Sequence, residues 1–368
     1  MKVFLFGTLR WVPLLETVCG RSCDLSAGRL MGHRIVRAPD GDWPVLLRDG
    51  GSVAEGEIFE LTDPTAMDRM DWYEALFGYA RREVTVSVGA RETDCWVYDS
   101  GARGGSETSW DLASWVASHG EMTRLAAEEI LRLHGRSTPE AAAPRYRYAR
   151  ARAHSRVMAA AYRRPATIGG DLTSSDVESI DVVRPYEGFH AVEERRFAFR
   201  RFDGTISEPV TRAVSVVTQA ATVLPYDPVR ERVLVVEQVR AGAVALGDPL
   251  PWMLEPVAGL IDPGEGPEET VLREAREEAG ITLRELRFVA RYYPSPGGLA
   301  QILHSYIGLC DLSDGTEGLG GLDDEAEDIR SHLLPLDRLI DMISTGEAAN
   351  APLILSAQWL ALNRAGLT

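Results

Sequence analysis

The chain combines short stretches in which apolar and polar residues alternate, typical of strands, with longer stretches in which apolar residues recur every three or four positions, typical of helices. Up to about residue 100, runs such as KVFLF and TDCWVYD lie between Gly and Asp turns, with one helical segment at 64–73. From 109 to about 164 the pattern is helical. Gly7 and Arg10 interrupt the apolar opening run, which predicts a first strand and not a signal peptide.

Strands and helices alternate in the last part of the chain. The pattern predicts strands at 192–202, 211–224, 232–239, 286–293, 301–311 and 329–334, and helices at 267–279, 335–345 and 352–364. Such an alternation predicts an α/β layered domain, and 368 residues are too many for one ordinary core. We therefore predict a small α+β domain at 1–105, a helical appendage and linker at 106–184, and an α/β domain at 185–368.

Composition excludes some partners. The chain has 45% hydrophobic residues, as in globular proteins, and a formal net charge of −16, which disfavours binding to nucleic acid or to an anionic membrane. Its apolar runs are too short for a membrane-spanning helix. The four cysteines are scattered, without the spacing of a zinc site or of a disulfide framework. We expect a soluble, cytoplasmic protein.

The arginine-rich stretch at 145–164 predicts a solvated helix face, and we assign it no function.

One segment, GLIDPGEGPEETVLREAREEAGI from Gly259 to Ile281, carries chemistry. Pro267 suits the first turn of a helix and Gly280 its end. Glu274, Glu277 and Glu278 lie three and four positions apart, so they project from one side of that helix and repel one another. A divalent cation would neutralise them, and Mg²⁺ prefers carboxylate oxygens shared with substrate phosphates. The segment therefore has the chemistry for a pyrophosphate substrate.

The same segment resembles the signature of the Nudix hydrolases. The matching residues are Gly259, Glu265, Arg273, Glu274, Glu277, Glu278 and Gly280. The resemblance implies an α/β/α sandwich with a mixed sheet, in which Glu274, Glu277 and Glu278 bind Mg²⁺, with Mn²⁺ as a possible substitute. It also implies that Arg273 and Glu265 orient these ligands, and that water attacks one phosphorus of a pyrophosphate.

The flanking segments resemble ADP-ribose pyrophosphatases, which yield AMP and ribose 5-phosphate and act as homodimers. These segments are PWMLEPVAGLIDPGE, EQVRAG and YYPSPGG. The resemblance implies that the carbonyl of Ala258 is a metal ligand. It also implies a set of substrate-binding residues, which comprises Arg240, Glu255, Arg212, Ser295 and Gly297.

The C-terminal part, with GGLDDEAEDIRSH, resembles the same group, including its tellurite-resistance-like subgroup. The resemblance implies a general base in this acidic loop, at Glu325 or Glu327. Gln301 stands where the family commonly has glutamate, and an amide cannot act as a base. Hydrolysis of another nucleoside diphosphate sugar or of a dinucleotide, and a sensor that only binds nucleotide, therefore remain alternatives to ADP-ribose hydrolysis.

The first domain resembles gamma-glutamylcyclotransferase-like (AIG2-like) proteins, a small barrel fold, through MKVFLFGTLR and MDRMDWYEALFGYARREVTV. The resemblance implies that the backbone of Gly7, Thr8 and Leu9 holds a carboxylate and that Glu74 is the acid–base residue. Phe6 replaces the usual Tyr and Ala75 the usual Gly. A binding module is therefore an alternative to an active cyclotransferase.

Overall fold

A computed structural model describes residues 1–101, 104–105, 108–321 and 327–367. The chain divides into two compact units, Met1–Ala161 and residues 162–368. The segment that we predicted as a helical appendage and linker is divided between them, because its helices up to Ala161 belong to the first unit and a strand from Val177 belongs to the second. Within the described ranges, no helix is long and apolar enough to cross a membrane.

The first unit is built on a closed five-stranded barrel, which confirms the predicted fold. Its strands are β1 (Lys2–Leu5), β2 (Leu25–Arg37), β3 (Pro44–Glu60), β4 (Ala80–Val88) and β5 (Arg91–Asp99). Their order is β1-β3-β2-β4-β5, and β1 closes the barrel by pairing in parallel with β5. Phe4, Ile58 and Val86 belong to the core that fills the interior.

Helices cover one side of this barrel core. They are α1 (Val12–Cys19), α2 (Pro64–Ala75), α3 (Leu112–Trp115), α4 (Glu121–Ile130), α5 (Pro139–Ala142) and α6 (Tyr146–Ala161). The opening run is a strand only as far as Leu5. It continues as α1 because Pro13 suits the first helical turn, and Gly20 ends the helix in the left-handed region, at a φ of 73°.

The arginine-rich stretch forms α6, and one of its arginines has a structural role. Arg152 donates from Nη2 to Oε1 of Glu129 in α4 at 2.6 Å, and both side chains are at most 5% exposed. Arg145, Arg147 and Arg156 are exposed. The helix therefore has a solvated arginine face, as predicted, and one buried ion pair that fixes α6 to α4.

The second unit contains a mixed sheet of eight strands. These are β9 (Ala220–Asp227), β10 (Arg232–Val239), β11 (Trp252–Glu255), β12 (Val257–Leu260), β13 (Glu285–Tyr292), β15 (Leu303–Leu309), β16 (Leu319–Gly320) and β17 (Ile329–Pro335). Strands β15 and β9 are parallel, whereas β10 pairs antiparallel with β17. Strands β9 and β10 pair with each other only at Tyr226–Asp227 and Arg232–Val233. Beyond this point they separate: β9 pairs with β12, and β10 pairs with β11. The sheet is therefore open between β9 and β10, beside β12.

A second sheet corrects one prediction, the single strand at 211–224. The sheet comprises β6 (Val177–Glu187), β7 (Ala191–Phe199), β8 (Val210–Val216) and β14 (Leu299–Ala300). The predicted strand is two strands, because the chain leaves this sheet after Val216 and enters the eight-stranded sheet at Ala220. An apolar run gives no sign of such a change of sheet, since both strands have the same residue types.

Four helices accompany the large sheet: α7 (Ala241–Leu246), α8 (Pro267–Ala279), α9 (Leu336–Thr345) and α10 (Ala351–Asn363). Leu224 of β9 forms a buried core with Leu339 of α9 and Leu353 of α10. Helix α8 lies against β9 and β12. The mixed α/β architecture predicted for this unit is confirmed, and it places α8 beside the point where the sheet opens.

Candidate active site

Helix α8 begins and ends where the sequence predicts. Pro267 lies in its first turn, and the carboxylate of Glu269 accepts a hydrogen bond from the Gly266 N–H at 2.7 Å, which satisfies an N–H group that the helix leaves unpaired. Gly280 ends the helix at a φ of 63°, where a side chain would be strained. These local signals set the register of every acid on the helix.

Two acids of α8 are held between the helix and β12. Oε2 of Glu278 accepts a hydrogen bond from the Ala258 N–H at 3.1 Å, and Glu278 is only 2% exposed. Glu274 lies over the backbone of Gly259 so closely that a Cβ atom there would be 1.7 Å from its Oε1. Glycine at 259 is therefore required by the approach of the Glu274 carboxylate.

Arg273 donates hydrogen bonds to three carboxylates of the site. Its Nε donates to Oε1 of Glu265 at 3.0 Å. Its Nη1 donates to Glu274 at 2.7 Å and to Glu277 at 2.9 Å. These charge-assisted bonds fix the three acceptors relative to one another. Arg273 thus has the orienting position that the resemblance implies.

Burial disfavours the charged form of two carboxylates in the acidic cluster, which we define as Glu274, Glu277 and Glu278. Burial, together with the charges of Glu274 and Glu327, raises the pKa of Glu278 to about 8. Burial, with the charges of Glu277 and Glu327, raises the pKa of Glu274 to about 7, although Arg273 opposes the shift. Burial and mutual repulsion disfavour the charged form of these carboxylates. A bound cation would therefore stabilise that charged form strongly.

The donor chemistry fits a hard divalent cation, since it comprises carboxylates and the nearby carbonyl of Ala258. Among the described residues, however, no three His, Cys, Asp or Glu side chains are grouped closely enough to hold a metal ion. The guanidinium of Arg273 bridges Glu274 and Glu277. A bound cation would therefore have to replace Arg273 as the partner of these carboxylates. The ligand set of Ala258, Glu274, Glu277 and Glu278 stays a prediction.

The two candidate bases differ in what the structure shows of them. Glu325 lies outside the described residues. Glu327, just before β17, raises the pKa of both Glu274 and Glu278, so its charge acts on the acidic cluster. Of the two, Glu327 is the one with an electrostatic link to the cluster in the described part of the chain.

Arg240, at the end of β10, is held by a buried acid. Its Nε donates to Oε2 of Glu255 at 2.7 Å, while the Asn350 amide donates to Oε1 at 2.8 Å. Glu255 is 6% exposed, so its carboxylate is occupied by these partners. The sequence analysis placed Glu255 with the substrate. In the structure its carboxylate contacts Arg240 and Asn350, and the substrate role stays a prediction.

Asn350 and Gln238 are polar residues that the sequence reasoning did not select. Asn350 caps α10 by accepting a hydrogen bond from the Leu353 N–H at 3.1 Å. An Asn followed by Ala-Pro is a sequence pattern that predicts such an N-cap. Its bond to Glu255 spans 95 residues and has no local signal. Gln238 is 6% exposed, and its Nε2 has no hydrogen-bond partner among the described residues. It lies two positions before Arg240 on the same strand, and its unpaired amide nitrogen is closed off from solvent.

The other predicted substrate residues lie on β8 and in the loop after β13. Arg212 is on β8 in the four-stranded sheet, exposed, and donates to the Thr211 carbonyl. Ser295 and Gly297 are in the exposed loop between β13 and β14. Gln301 donates from Nε2 to the Thr218 carbonyl at 3.2 Å, which ties the start of β15 to the start of β9. These substrate assignments stay predictions.

In the first unit, Gly7, Thr8, Leu9 and Glu74 line one cavity of about 610 Å³. The loop after β1 and the end of α2 therefore meet, although 65 positions separate Leu9 from Glu74. Burial alone raises the pKa of Glu74 to about 8. Only the family resemblance predicted that these two segments lie close together. A glycine-containing loop and a single acid are weak signals on their own.

The raised pKa of Glu74 predicts a pH-dependent stability. Because the folded unit binds this proton more tightly than the unfolded chain, the contribution is complete below the ordinary value of 4.5 and is lost as the pH rises to about 8. Between these two pH values the free energy of unfolding should fall, and we expect Glu74→Gln to reduce that fall by about 2–4 kcal/mol. Urea unfolding at several pH values would measure it, with the exposed Glu60→Gln as the matched control. Parallel pH profiles for all three proteins would contradict the assignment.

Comparison with known proteins gives two family matches. The NUDIX domain matches residues 217–356, and the gamma-glutamyl cyclotransferase, AIG2-like family matches residues 3–116. An ADP-ribose pyrophosphatase of Escherichia coli is 36% identical over 203 residues, covering 55% of this chain and 94% of the relative. The ADP-ribose pyrophosphatase of Haemophilus influenzae is 36% identical over 198 residues, covering 53% and 91%.

More distant similarities extend to other substrates. A GDP-mannose pyrophosphatase of Escherichia coli is 32% identical over 143 residues, covering 39% of this chain and 73% of the relative. A solved structure described as an ADP compounds hydrolase covers 52% of this chain and 96% of its own, with 18% identity and a TM-score of 0.42.

Proposed function

Because this chain belongs to the Nudix hydrolase family, we propose that its second unit hydrolyses the pyrophosphate of ADP-ribose to AMP and ribose 5-phosphate, with Mg²⁺ at the acidic cluster. The observation that carries the proposal is the pair of buried carboxylates, Glu274 and Glu278, held against β12 with raised pKa values. Arg273 pairs with Glu274, whereas Glu278 forms no ion pair among the described residues, and its burial as a carboxylate is costly unless a ligand neutralises it. The ADP-ribose pyrophosphatase relatives support the choice of substrate.

Each residue of the site has a role in this proposal. Glu274, Glu277, Glu278 and the Ala258 carbonyl would hold Mg²⁺, or Mn²⁺ in its place, which would activate water and neutralise charge on the phosphate oxygens. Arg273 keeps the carboxylates in position. Glu327 would take the proton from the attacking water, with Glu325 as the alternative base.

Arg240 would bind a phosphate oxygen of the substrate, since its side chain is 39% exposed and is directed by Glu255. Asn350 completes this arrangement by occupying the other oxygen of Glu255. Such a contact would be made equally in the bound substrate and in the transition state, so its loss should raise KM more than it lowers kcat.

Asn350→Ser tests this role, because serine keeps the helix cap but cannot reach Glu255. We expect KM for ADP-ribose to rise about tenfold, the effect of one charge-assisted hydrogen bond, while kcat changes by less than about threefold. Steady-state kinetics of the full chain would measure both constants. An unchanged KM, or a loss confined to kcat, would contradict a positioning role.

The competing substrate class is another nucleoside diphosphate sugar, and the GDP-mannose pyrophosphatase relative favours it. Gln301 adds to this alternative, because its amide is bonded to the Thr218 carbonyl and cannot supply a carboxylate. A comparison of kcat/KM for ADP-ribose and GDP-mannose with Mg²⁺ separates the two. We expect at least about a tenfold preference for ADP-ribose, as one charge-assisted contact provides. A preference for GDP-mannose would overturn the substrate assignment.

The assembly and the compartment are part of the same proposal. We propose a cytoplasmic homodimer. The buried cysteines, Cys19, Cys23, Cys95 and Cys310, are all free thiols, as expected in a reducing compartment. The four-stranded sheet exposes apolar side chains, among them Val183 and Tyr186, that a second copy could cover.

A further inference from the structure

The cavity of the first unit is completed by helices that follow the barrel. The gamma-glutamyl cyclotransferase, AIG2-like match ends at residue 116, but the helical segment Val116–Gly120, α4 and α6 add further lining residues. The most informative of these are His119, Tyr146 and Arg150. The chemistry of the cavity is therefore set partly by this helical segment and not by the barrel alone.

Aromatic rings dominate the cavity walls. Nine of the 21 lining residues are Phe, Tyr or Trp, including Trp43 from the barrel and Trp115 from α3. At about 610 Å³ the cavity has the size of a small-molecule site. Aromatic walls bind flat apolar groups through stacked and edge-to-face contacts. A ligand with a planar ring would therefore fill most of this space.

Arg150 supplies the positive charge of this cavity. It is the single Lys or Arg among the lining residues, and it forms no ion pair within the described parts of the chain. Burial raises the pKa of the Tyr73 and Tyr146 hydroxyl groups, which also line the cavity, and the nearby charge of Arg150 partly opposes both shifts. Arg150 therefore lies beside two hydroxyl groups, and together they can bind an oxyanion.

The acids of the cavity limit the charge of that anion. Asp42 forms an ion pair with Arg37 at 3.2 Å and contacts Nε2 of His119 at 3.1 Å, and Asp40 also lines the cavity. The Glu74 carboxyl group makes no hydrogen bond within the described ranges. These acids repel a doubly charged phosphate more strongly than a single carboxylate, whose one charge Arg150 can match.

We propose that this cavity binds a monocarboxylate with a planar aromatic body, whose carboxylate is held by Arg150 and whose ring packs among Trp43 and Trp115. The Tyr146 hydroxyl provides a second hydrogen bond to the carboxylate. The Glu74 side chain faces the same space and can bond a polar N–H group of the ligand. All of its lining residues belong to the first unit.

Calorimetric titration of the full chain with naphthylacetate tests the site, with naphthylacetamide and cyclohexylacetate as ligands that lack the charge and the ring. We expect naphthylacetate to bind with a Kd below about 1 mM and each analogue at least about tenfold more weakly. Arg150→Gln should weaken naphthylacetate about 10- to 100-fold. Arg145→Gln, on the exposed face of α6, should leave the affinity unchanged.

Three results would overturn the proposal: no heat of binding at millimolar naphthylacetate, equal affinity for the amide, or an Arg150→Gln affinity equal to that of Arg145→Gln. Circular dichroism shows whether Arg150→Gln folds. If it does not fold, Arg150→Lys replaces it, and we expect this variant to retain the preference for the carboxylate over the amide because it retains the charge. Equal binding of acid and amide by a folded Arg150→Lys would then count against the proposal.

Discussion

Glu278→Gln is expected to lower kcat for ADP-ribose by about a thousandfold or more, corresponding to about 4 kcal/mol of lost transition-state stabilisation. Glutamine keeps the size of the side chain and can still accept the hydrogen bond from the Ala258 N–H. It has no negative charge for a metal ion, however. The fold should therefore be retained while turnover is lost. Single-turnover kinetics and thermal unfolding measure the two effects.

The matched control for Glu278→Gln is Glu268→Gln. Glu268 lies in the first turn of the same helix and is exposed, so its replacement changes the charge of α8 without touching the site. We expect its kcat to stay within about twofold of the original chain, as for most surface substitutions. A Glu278→Gln variant with the same rate as this control would remove the metal-ligand assignment.

Gly259→Ala is expected to lower kcat about 100-fold, without strain in the backbone. The added Cβ would lie 1.7 Å from Oε1 of Glu274, so the carboxylate must move by more than an atom's radius. Displacement of a catalytic group by about 1 Å can cost 10²-fold in rate. Gly366→Ala is the control, since nothing lies within 4 Å of a Cβ at that position. A variant at Gly259 with unchanged kcat would show that the position of Glu274 is not critical.

The part of the site that the sequence predicts is the local part. Pro267 and Gly280 define α8 by cap signals that act within a turn, and the helical repeat then places Glu274 and Glu278 on one side. The spacing within a single helix needs no knowledge of the rest of the fold. For this reason the predicted helix at 267–279 and the observed α8 have the same bounds.

The part that the sequence could not give depends on contacts across the fold. Glu255 has a strand-end position in the sequence, but its partners Arg240 and Asn350 come from β10 and the start of α10. The predicted strand at 211–224 is wrong because the change between sheets follows from pairing partners and not from residue types. Arg150 reads as one arginine among several until the helical segment places it in the cavity.

The resemblances filled some of these gaps and left others open. They related Gly7 to Glu74, which line the same cavity, and they identified the Nudix hydrolase and AIG2-like domains. They also named Arg212 as a substrate residue; it lies on β8 of the four-stranded sheet, and this role stays a prediction.

The central claim is that the acidic cluster binds a divalent metal ion that is needed to split ADP-ribose. The most direct measurement is product formation from ADP-ribose by the full chain as Mg²⁺ is titrated into protein that has been treated with a chelator. We predict that AMP and ribose 5-phosphate appear together, that their rate rises from background to saturation with Mg²⁺, and that the chelator abolishes it again. Equal turnover with and without the metal ion, or no turnover at saturating Mg²⁺, would contradict the account.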